Sequence, residues 1–177
     1  MTGERTAIPK VRGATVGDRT ALLEINAAGA PGVTPLDDAE LAELGSQASL
    51  WLVAEVDGRI AGYLIAFAPD DPGEGEELLW FRAHVPRCLY VDQVAVHPDL
   101  RRRGVASVLY RAVFSEASDR GVGIVACEIN LEPPNPDSLA FHRRLGFGEV
   151  GRLRVSDGRL VSLQARENVR TPVRSLT

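Results

Sequence analysis

The 177 residues are enough for one domain with a single core. We expect residues 1–177 to form that domain, with the core at about 11–166 and a C-terminal tail at 167–177. Hydrophobic residues make up 45% of the chain and charged residues 25%, which excludes an extensively disordered protein. The net charge of −4 excludes a general nucleic-acid-binding surface, and the longest mainly apolar stretch, residues 60–68, is about half of what a membrane-spanning helix needs.

Hydrophobic periodicity and turn signals predict seven strands and four helices. In chain order they are a strand (11–14), two helices (18–28 and 37–44), three strands (50–56, 59–67 and 89–96), a helix (105–120), a strand (124–130), a helix (135–146) and two strands (149–153 and 160–165). Asp57-Gly58 predicts a tight hairpin, and residues 70–77 are predicted to be an acidic loop. The order predicts a mixed α/β domain with helices on both faces of one sheet.

No cysteine or histidine pattern indicates a metal site or a disulfide framework. The two cysteines are Cys88 and Cys127, and His84, His97 and His142 lack the spacing of zinc ligands. The first residues also lack the apolar run of a secretory signal. We therefore expect a cytoplasmic protein with no metal and no membrane partner.

A strand–loop–helix segment at residues 94–106 predicts an anion-binding site. A buried strand ends at Pro98, and Gly104 opens a helix whose first N–H groups have no partner within the helix. The small Gly104 and Ala106 would let a phosphate approach the backbone, and the three adjacent arginines at 101–103 add positive charge. The pattern predicts a diphosphate cradle, although a surface turn with solvated arginines remains the alternative. It matches neither a Walker loop nor a dinucleotide fingerprint.

Two motifs resemble those of the GNAT superfamily of N-acetyltransferases. Residues 96–106 read V-x-P followed by R-x-x-G-x-A, which is similar to that family's Gln/Arg-x-x-Gly-x-Gly/Ala signature. Residues 135–147 read N-P-x-S-x-A-F-H-R-R-L-G-F, which is similar to its second cofactor segment. The resemblance covers residues 11–165 and implies a central mixed sheet whose parallel strands 4 and 5, here 89–96 and 124–130, splay apart to hold acetyl-CoA.

The resemblance also implies which residues bind this co-substrate. Backbone groups at the end of strand 4 would bond the pantetheine arm, the N–H groups of residues 102–107 would hold the pyrophosphate, and the second motif would lie near the arm and the nucleotide. The implied cofactor-binding residues are Val94, Ala95, Val96, Arg101, Arg102, Arg103, Gly104, Val105, Ala106, Ser107, Asn135, Phe141 and Arg144. The residue pattern alone predicts the anion cradle and not coenzyme A.

Acetyl transfer to an amine requires loss of a proton from the ammonium group, stabilisation of an oxyanion and departure of a thiolate. Asp92 is the candidate base, because a carboxylate in mid-strand is costly unless it is paired or used. By strand alternation it would share a face with Tyr90 and Val94, and the backbone N–H near Val94 is the expected oxyanion donor. Glu128 is the second candidate. A carboxylate that is merely paired, and a reaction that uses only ordered water, are the alternatives.

His142 marks a departure from the family pattern. Family members often have a tyrosine at this position that protonates the leaving thiolate. An imidazole could donate a proton near neutral pH, so His142 is a candidate acid. The alternative is a half-buried helix residue on the stripe Ser138, His142 and Leu145.

Residues 26–36 and 69–87 are expected to flank the acceptor end of the cleft. The acidic residues within 70–77 would favour a cationic acceptor, and Trp80, Phe81 and Tyr90 could form the wall of a pocket. A solvated loop and ordinary core aromatics are the alternative interpretation.

The predicted function is transfer of acetyl from acetyl-CoA to a primary amine of a small molecule or peptide, by direct attack in a ternary complex. A homodimer is one assembly that the resemblance allows. The competing interpretations are a non-catalytic acyl-CoA-binding sensor or scaffold and a protein that binds another phosphorylated ligand.

Overall fold

The computed structural model describes residues 8–168, in which five helices flank one seven-stranded sheet, so the predicted mixed α/β class is confirmed. The strands are β1 (Lys10–Gly13), β2 (Leu50–Val56), β3 (Arg59–Phe67), β4 (Cys88–Val96), β5 (Ile124–Glu132), β6 (Gly148–Arg154) and β7 (Leu160–Glu167). The helices are α1 (Arg19–Gly29), α2 (Asp38–Gln47), α3 (Glu76–His84), α4 (Val105–Asp119) and α5 (Pro136–Arg144).

The sheet is antiparallel except at its centre, where β4 and β5 run parallel. The strand order is β1-β2-β3-β4-β5-β7-β6. β4 pairs with β5 only over their first residues, from Cys88↔Ile124 to Val91↔Cys127, although both strands continue further. The predicted splayed parallel pair is therefore present, and it leaves a gap in the middle of the sheet.

A β-bulge in β4 lies at the point where this gap opens. Ile65 of β3 pairs with Gln93 and Ala66 pairs with Val91, so Asp92 is an extra residue without a partner on β3. The bulge shifts the alternation of side chains between the two faces of β4. The prediction that Val94 shares a face with Tyr90 and Asp92 is therefore wrong. Tyr90 packs in the core under α1–α3, whereas Val94 packs against the core under α4.

Two hydrophobic cores cover the two faces of the sheet. On one face α4 buries Leu109 and Val113 completely, together with side chains from α5. On the other face α1, α2 and α3 bury Leu22, Leu41 and Phe81. Because the gap between β4 and β5 passes between these cores, groups from both faces reach it.

Helix α3 is the one α-helix among the described residues that the sequence analysis missed, since residues 70–77 were predicted to be a loop. Gly75 is its N-cap, Glu76 and Glu77 lie in its first turn, and Arg82 and His84 lie in its last turn. Acidic residues at the start of a helix and basic ones at its end favour the helix dipole, and this was the available signal.

The predicted C-terminal tail overlaps the last strand. Glu167 still belongs to β7, and residues 169–177 of that tail lie outside the described residues. Among residues 8–168, no helix has both the length and the apolar character required to cross a membrane.

Candidate active site

The gap between β4 and β5 forms a cleft of about 170 Å³. Its walls come from the ends of β4 and β5, from the α1–α2 loop and from α4 and α5. The predicted site residues that line it are Asp92, Val94, Ala95, Val96, Arg101, Glu128, Asn135 and His142. The structure thus brings the three candidate catalytic side chains and part of the predicted cofactor set to one place.

The start of α4 lies next to this cleft and offers free backbone donors. Within the described residues, the N–H groups of residues 102–107 donate no hydrogen bond, and the first helical bond of α4 runs from Val108 N–H to the Gly104 carbonyl. Gly104 has a φ of 79°, and a Cβ there would meet nothing within 4 Å. Glycine is therefore favoured at this position by its left-handed backbone and not by lack of space for a side chain.

The three adjacent arginines at 101–103 have different surroundings. Arg101 lines the cleft, Arg103 lies 3.5 Å from the Asp57 carboxylate, and Arg102 is exposed with a φ of 61°. Further from the opening, Phe141 packs on Tyr110 with a ring-centre distance of 5.8 Å, whereas Arg144 is exposed and does not line the cleft.

The α1–α2 loop lines one end of the cleft through Gly32, Val33 and Thr34. That residues 26–36 flank the acceptor stays a prediction. Asn130 Nδ2 donates to the Pro31 carbonyl at 3.0 Å, and Asn135 Nδ2 approaches the Gly32 carbonyl at 3.4 Å. A Cβ on Gly32 would lie 3.0 Å from Asn135 Nδ2, so the close approach favours glycine. These amides attach the loop to β5 and to the start of α5.

Asp92 and Glu128 face the same region from the two splayed strands. Tyr90 O–H donates to Glu128 Oε2 at 2.7 Å. Burial raises the pKa of Asp92 to about 6, and the nearby Glu77 carboxylate acts in the same direction. Burial also raises the pKa of Glu128 well above its usual range, and the negative charges of Asp92 and Glu77 add to that effect. The site therefore contains carboxyl groups that bind protons far more readily than exposed ones.

Arg159, in the β6–β7 hairpin, is a site residue that the sequence analysis missed. Its Nη2 lies 3.2 Å from Glu77 Oε1, its Nη1 donates to Asn130 Oδ1 at 3.2 Å, and its Nε donates to Asp157 Oδ2 at 2.7 Å. All three nitrogens are thus engaged, two of them by carboxylates. Most of these contacts join positions far apart in the chain, so no local sequence pattern signals them.

His142 is buried between α4 and α5 with both ring nitrogens engaged. Its Nδ1 lies 2.8 Å from the Ser138 carbonyl, which can only accept, so Nδ1 carries the proton. Its Nε2 lies 2.6 Å from Tyr110 Oη, whose O–H therefore donates to it. Burial lowers the pKa of His142, which favours the neutral ring. This geometry matches the alternative of a buried helix residue, and Tyr110 is a further cleft residue that the sequence analysis did not name.

The acidic residues of 70–77 have mainly structural contacts. Asp70 pairs with Arg87 at the surface, and Asp71 accepts hydrogen bonds from the backbone of Ser49 and Ala68. In the described part of the chain, the cleft wall includes neither these residues nor the predicted aromatic wall of Trp80, Phe81 and Tyr90. Phe81 and Tyr90 pack on each other in the core instead.

Comparison with known proteins agrees with this architecture. The profile of the acetyltransferase (GNAT) family matches residues 20–147. The L-2,4-diaminobutyric acid acetyltransferase of Nocardia farcinica is 33% identical over 103 residues, which cover 58% of this chain and 43% of that protein. This chain spans less than half of the length of the curated relatives that it matches.

Solved structures show the same fold. Ard1 from Thermoplasma volcanium superposes with a TM-score of 0.74 at 18% identity, over 90% of this chain and 97% of that one. A phosphinothricin acetyltransferase from Sinorhizobium meliloti, solved in complex with acetyl-CoA, superposes with a TM-score of 0.69 at 21% identity, over 90% and 88% of the two chains. The family profile, together with the splayed β4–β5 pair and the open start of α4, establishes that this chain belongs to the GNAT family of acetyltransferases.

Proposed function

We propose that the protein transfers the acetyl group of acetyl-CoA to an amine by direct attack in a ternary complex. One observation carries this proposal: the cleft that contains the half-buried carboxyl group of Asp92 extends to Arg101, next to the free backbone donors at the start of α4. The donors suit a diphosphate, and the strand edge of β4 beyond Val91 lacks a partner on its β5 side, which suits an extended arm. The residues present therefore fit coenzyme A.

Each group has a distinct role in this proposal. The N–H groups of residues 102–107 would hold the pyrophosphate, and Arg101 would add charge beside it. The backbone of Val94, Ala95 and Val96 would hold the arm. Bound acetyl-CoA supplies the acyl carbon that the amine attacks. The backbone N–H near Val94 is the proposed donor to the oxyanion.

Asp92 is the proposed base that takes the ammonium proton, directly or through water. A carboxyl group with a pKa of about 6 is ionised at neutral pH and is still basic enough to accept a proton. Glu128, whose pKa is also raised and which accepts the Tyr90 hydrogen bond, is the second candidate. The negative charge of Asp92 raises the pKa of Glu128 further, because two carboxylates in one site oppose each other's ionisation.

The role of His142 as the acid that protonates the departing thiolate stays a prediction. Its Nδ1–H is bonded to Ser138 and its Nε2 accepts from Tyr110, so it could deliver a proton only after one of these hydrogen bonds breaks. Cys127 also lines the cleft, but burial raises the pKa of its thiol well above the usual range. A thiol that stays protonated is a poor acyl carrier, which supports direct attack.

The proposed acceptor is a primary amine of a small molecule or peptide. A small-molecule amine is supported by the similarity to the diaminobutyric acid acetyltransferase and to the mycothiol acetyltransferase of Mycolicibacterium vanbaalenii, which is 38% identical over 91 residues. One acetyltransferase domain at 1–177, a cytoplasmic location and a homodimer stay predictions.

Thermal unfolding with acetyl-CoA, coenzyme A, ATP and NAD is the first test, followed by thiol release with a panel of amines. We expect stabilisation by acetyl-CoA and coenzyme A alone, because a ligand at about 100 times its dissociation constant adds roughly 2.7 kcal/mol to the free energy of unfolding. Equal stabilisation by ATP or NAD would favour a different phosphorylated ligand. Tight acetyl-CoA binding without thiol release on any amine would favour the sensor alternative.

A further inference from the structure

A chain of buried polar side chains ends at the cleft beside Asp92. It begins at Asn26 of α1, passes through Tyr63 of β3 and reaches Gln93 of β4. Asn26 Nδ2 lies 2.9 Å from Tyr63 Oη, and Tyr63 Oη lies 3.2 Å from Gln93 Oε1. Asn26 and Gln93 are only 2% and 5% exposed, and Gln93 lines the cleft. Buried polar groups of this kind require hydrogen-bond partners, and those partners determine how each side chain is oriented.

Backbone contacts determine the orientation of the Asn26 amide, and the Tyr63 hydroxyl then determines that of Gln93. Asn26 Oδ1 accepts from the Leu36 N–H at 2.9 Å, and its Nδ2 donates to the Thr34 carbonyl at 3.0 Å, so Asn26 cannot be turned round. Its Nδ2 therefore donates to Tyr63 Oη. The hydroxyl hydrogen of Tyr63 then needs an acceptor, which is Gln93 Oε1. Turning the Gln93 amide would leave that hydrogen without a partner.

The remaining end of Gln93 is its amide nitrogen, and the Gln93 side chain lines the cleft. Among the described residues, Gln93 Nε2 donates no hydrogen bond to the protein. The completely buried side-chain nitrogens without a partner in that part of the chain are Arg19 Nε and Trp51 Nε1, so Gln93 Nε2 is not sealed in the core. The Gln93 amide is fixed through its oxygen, and its nitrogen is free to donate, so it is suited to binding a ligand oxygen.

The bulge brings this donor next to the proposed base. Consecutive side chains of a regular strand point to opposite faces, but the bulge interrupts this alternation, and both Asp92 and Gln93 line the cleft. Any amine whose proton is taken by Asp92 therefore has its neighbouring atoms near the Gln93 amide. An oxygen one or two atoms from the reacting nitrogen would be within reach of it.

The surrounding charge favours a neutral oxygen over a carboxylate. Asp92 and Glu128 line the same cleft, and the Glu77 carboxylate is close enough to act on both. Arg159 could oppose them, but its guanidinium already contacts both Glu77 and Asp157. Arg101, the other arginine of the cleft, is assigned to the pyrophosphate in the proposed function. A free carboxylate on the acceptor would therefore meet like charge beside Asp92 without a free cation among the described residues to pair with.

We propose that the Gln93 amide recognises the acceptor by donating to a neutral oxygen, an amide carbonyl or a hydroxyl, close to the reacting amine. This inference rests on the proposed acetyl transfer. It predicts that amides of amino acids and amino alcohols are better acceptors than free amino acids or plain alkylamines of the same size.

The test compares acceptors in matched sets. For each of several side chains, kcat/KM is measured by thiol release with the amino-acid amide, the amino alcohol, the free amino acid and the alkylamine without the oxygen. We expect the two neutral oxygen-bearing amines to exceed the alkylamine by about tenfold, which is the effect of one hydrogen bond to a buried donor. An alkylamine or a free amino acid that equals the amide would overturn the proposal.

Three variants separate recognition from folding. Gln93→Glu keeps an acceptor for the Tyr63 hydroxyl but removes the amide donor, and Gln93→Met removes both. Gln164→Met is the matched control, because Gln164 is 7% exposed in β7 and does not line the cleft. We expect both Gln93 variants to lose the preference for oxygen, while the control retains it and all three keep stabilisation by acetyl-CoA.

Failure of the inference and failure of the proposed function give different experimental results. If Gln93→Glu binds acetyl-CoA and lowers kcat/KM equally for every amine, Gln93 is structural and the inference is wrong while the proposed function stands. If the wild-type protein releases no thiol with any amine of the panel, the proposed function fails and this inference fails with it.

Discussion

The anion-binding end of the cleft and its carboxylate end, which comprises Asp92 and Glu128 with the Glu77 carboxylate nearby, are built in different ways. At the start of α4 the donors are backbone N–H groups, and the essential requirement is the left-handed backbone of Gly104. At the other end the chemistry depends on single side chains whose proton affinities are set by burial and by one another. Substitutions at the start of α4 should therefore affect acetyl-CoA binding by changing the backbone shape. Substitutions at the carboxylate end should affect turnover by changing the side chain.

The largest effect is expected at the carboxylate end. Asp92→Asn removes the proposed base and should lower kcat about 1,000-fold with little change in acetyl-CoA affinity. For the wild-type protein, kcat should fall as the pH drops through about 6, where Asp92 takes up its proton. Steady-state kinetics over a range of about pH 5–9 with near-saturating acetyl-CoA would measure both, with Glu128→Gln as the companion variant. Near-normal turnover of Asp92→Asn at all pH values would show that Asp92 is not the base and that water accepts the ammonium proton.

The same substitution should stabilise the protein at neutral pH. The folded-state pKa of Asp92 is raised above its value of 3.8 in an unconstrained chain, so between about pH 4 and 6 the folded state binds more protons. The free energy of unfolding therefore decreases as pH rises through that window and stays lower above it. The asparagine side chain has no charge to bury, and we expect a gain of about 2 kcal/mol in urea unfolding near neutral pH. A loss of stability would show that the Asp92 carboxylate is favourably paired.

A smaller effect is expected at the anion-binding end. Gly104→Val should weaken acetyl-CoA binding about 100-fold in calorimetry, because a branched residue at positive φ distorts the N–H groups that bind phosphate. Gly121→Val is the matched control, since Gly121 also has positive φ and open space around its Cβ but lies past the other end of α4. Both variants should lose similar stability. Equal losses of acetyl-CoA affinity in the two would contradict the proposed phosphate site.

The smallest effect is expected outside the cleft. The double substitution Asp70→Asn and Glu74→Gln removes two charges from the segment that was predicted to attract a cationic acceptor. Neither residue lines the cleft, and Asp70 forms an exposed ion pair. We expect KM for a cationic amine to change by less than about twofold at low salt. A larger, salt-dependent increase would restore the role of this segment in attracting the acceptor.

The anion-binding end was the easier one to predict from the sequence because its determinants are local. Strand, glycine and helix start lie within about a dozen consecutive residues, and their geometry follows from backbone rules. The carboxylate end depends on contacts between distant segments. The pairing of Arg159 with Glu77, and that of Tyr110 with His142, join residues whose spacing in the chain has no characteristic pattern. The bulge at Asp92 was missed for the same reason, since it is visible only in the register with β3.

That bulge has a consequence for how the chain can change in length. The two halves of β4 are out of phase by one residue, and Asp92 is the residue that separates them. Deleting it would restore a regular strand, but every side chain on one side of the deletion would then face the opposite core. Insertions in the β6–β7 or β2–β3 turns leave that phase intact. Homologous chains should accordingly vary in their turns while keeping the residue count of β4 constant.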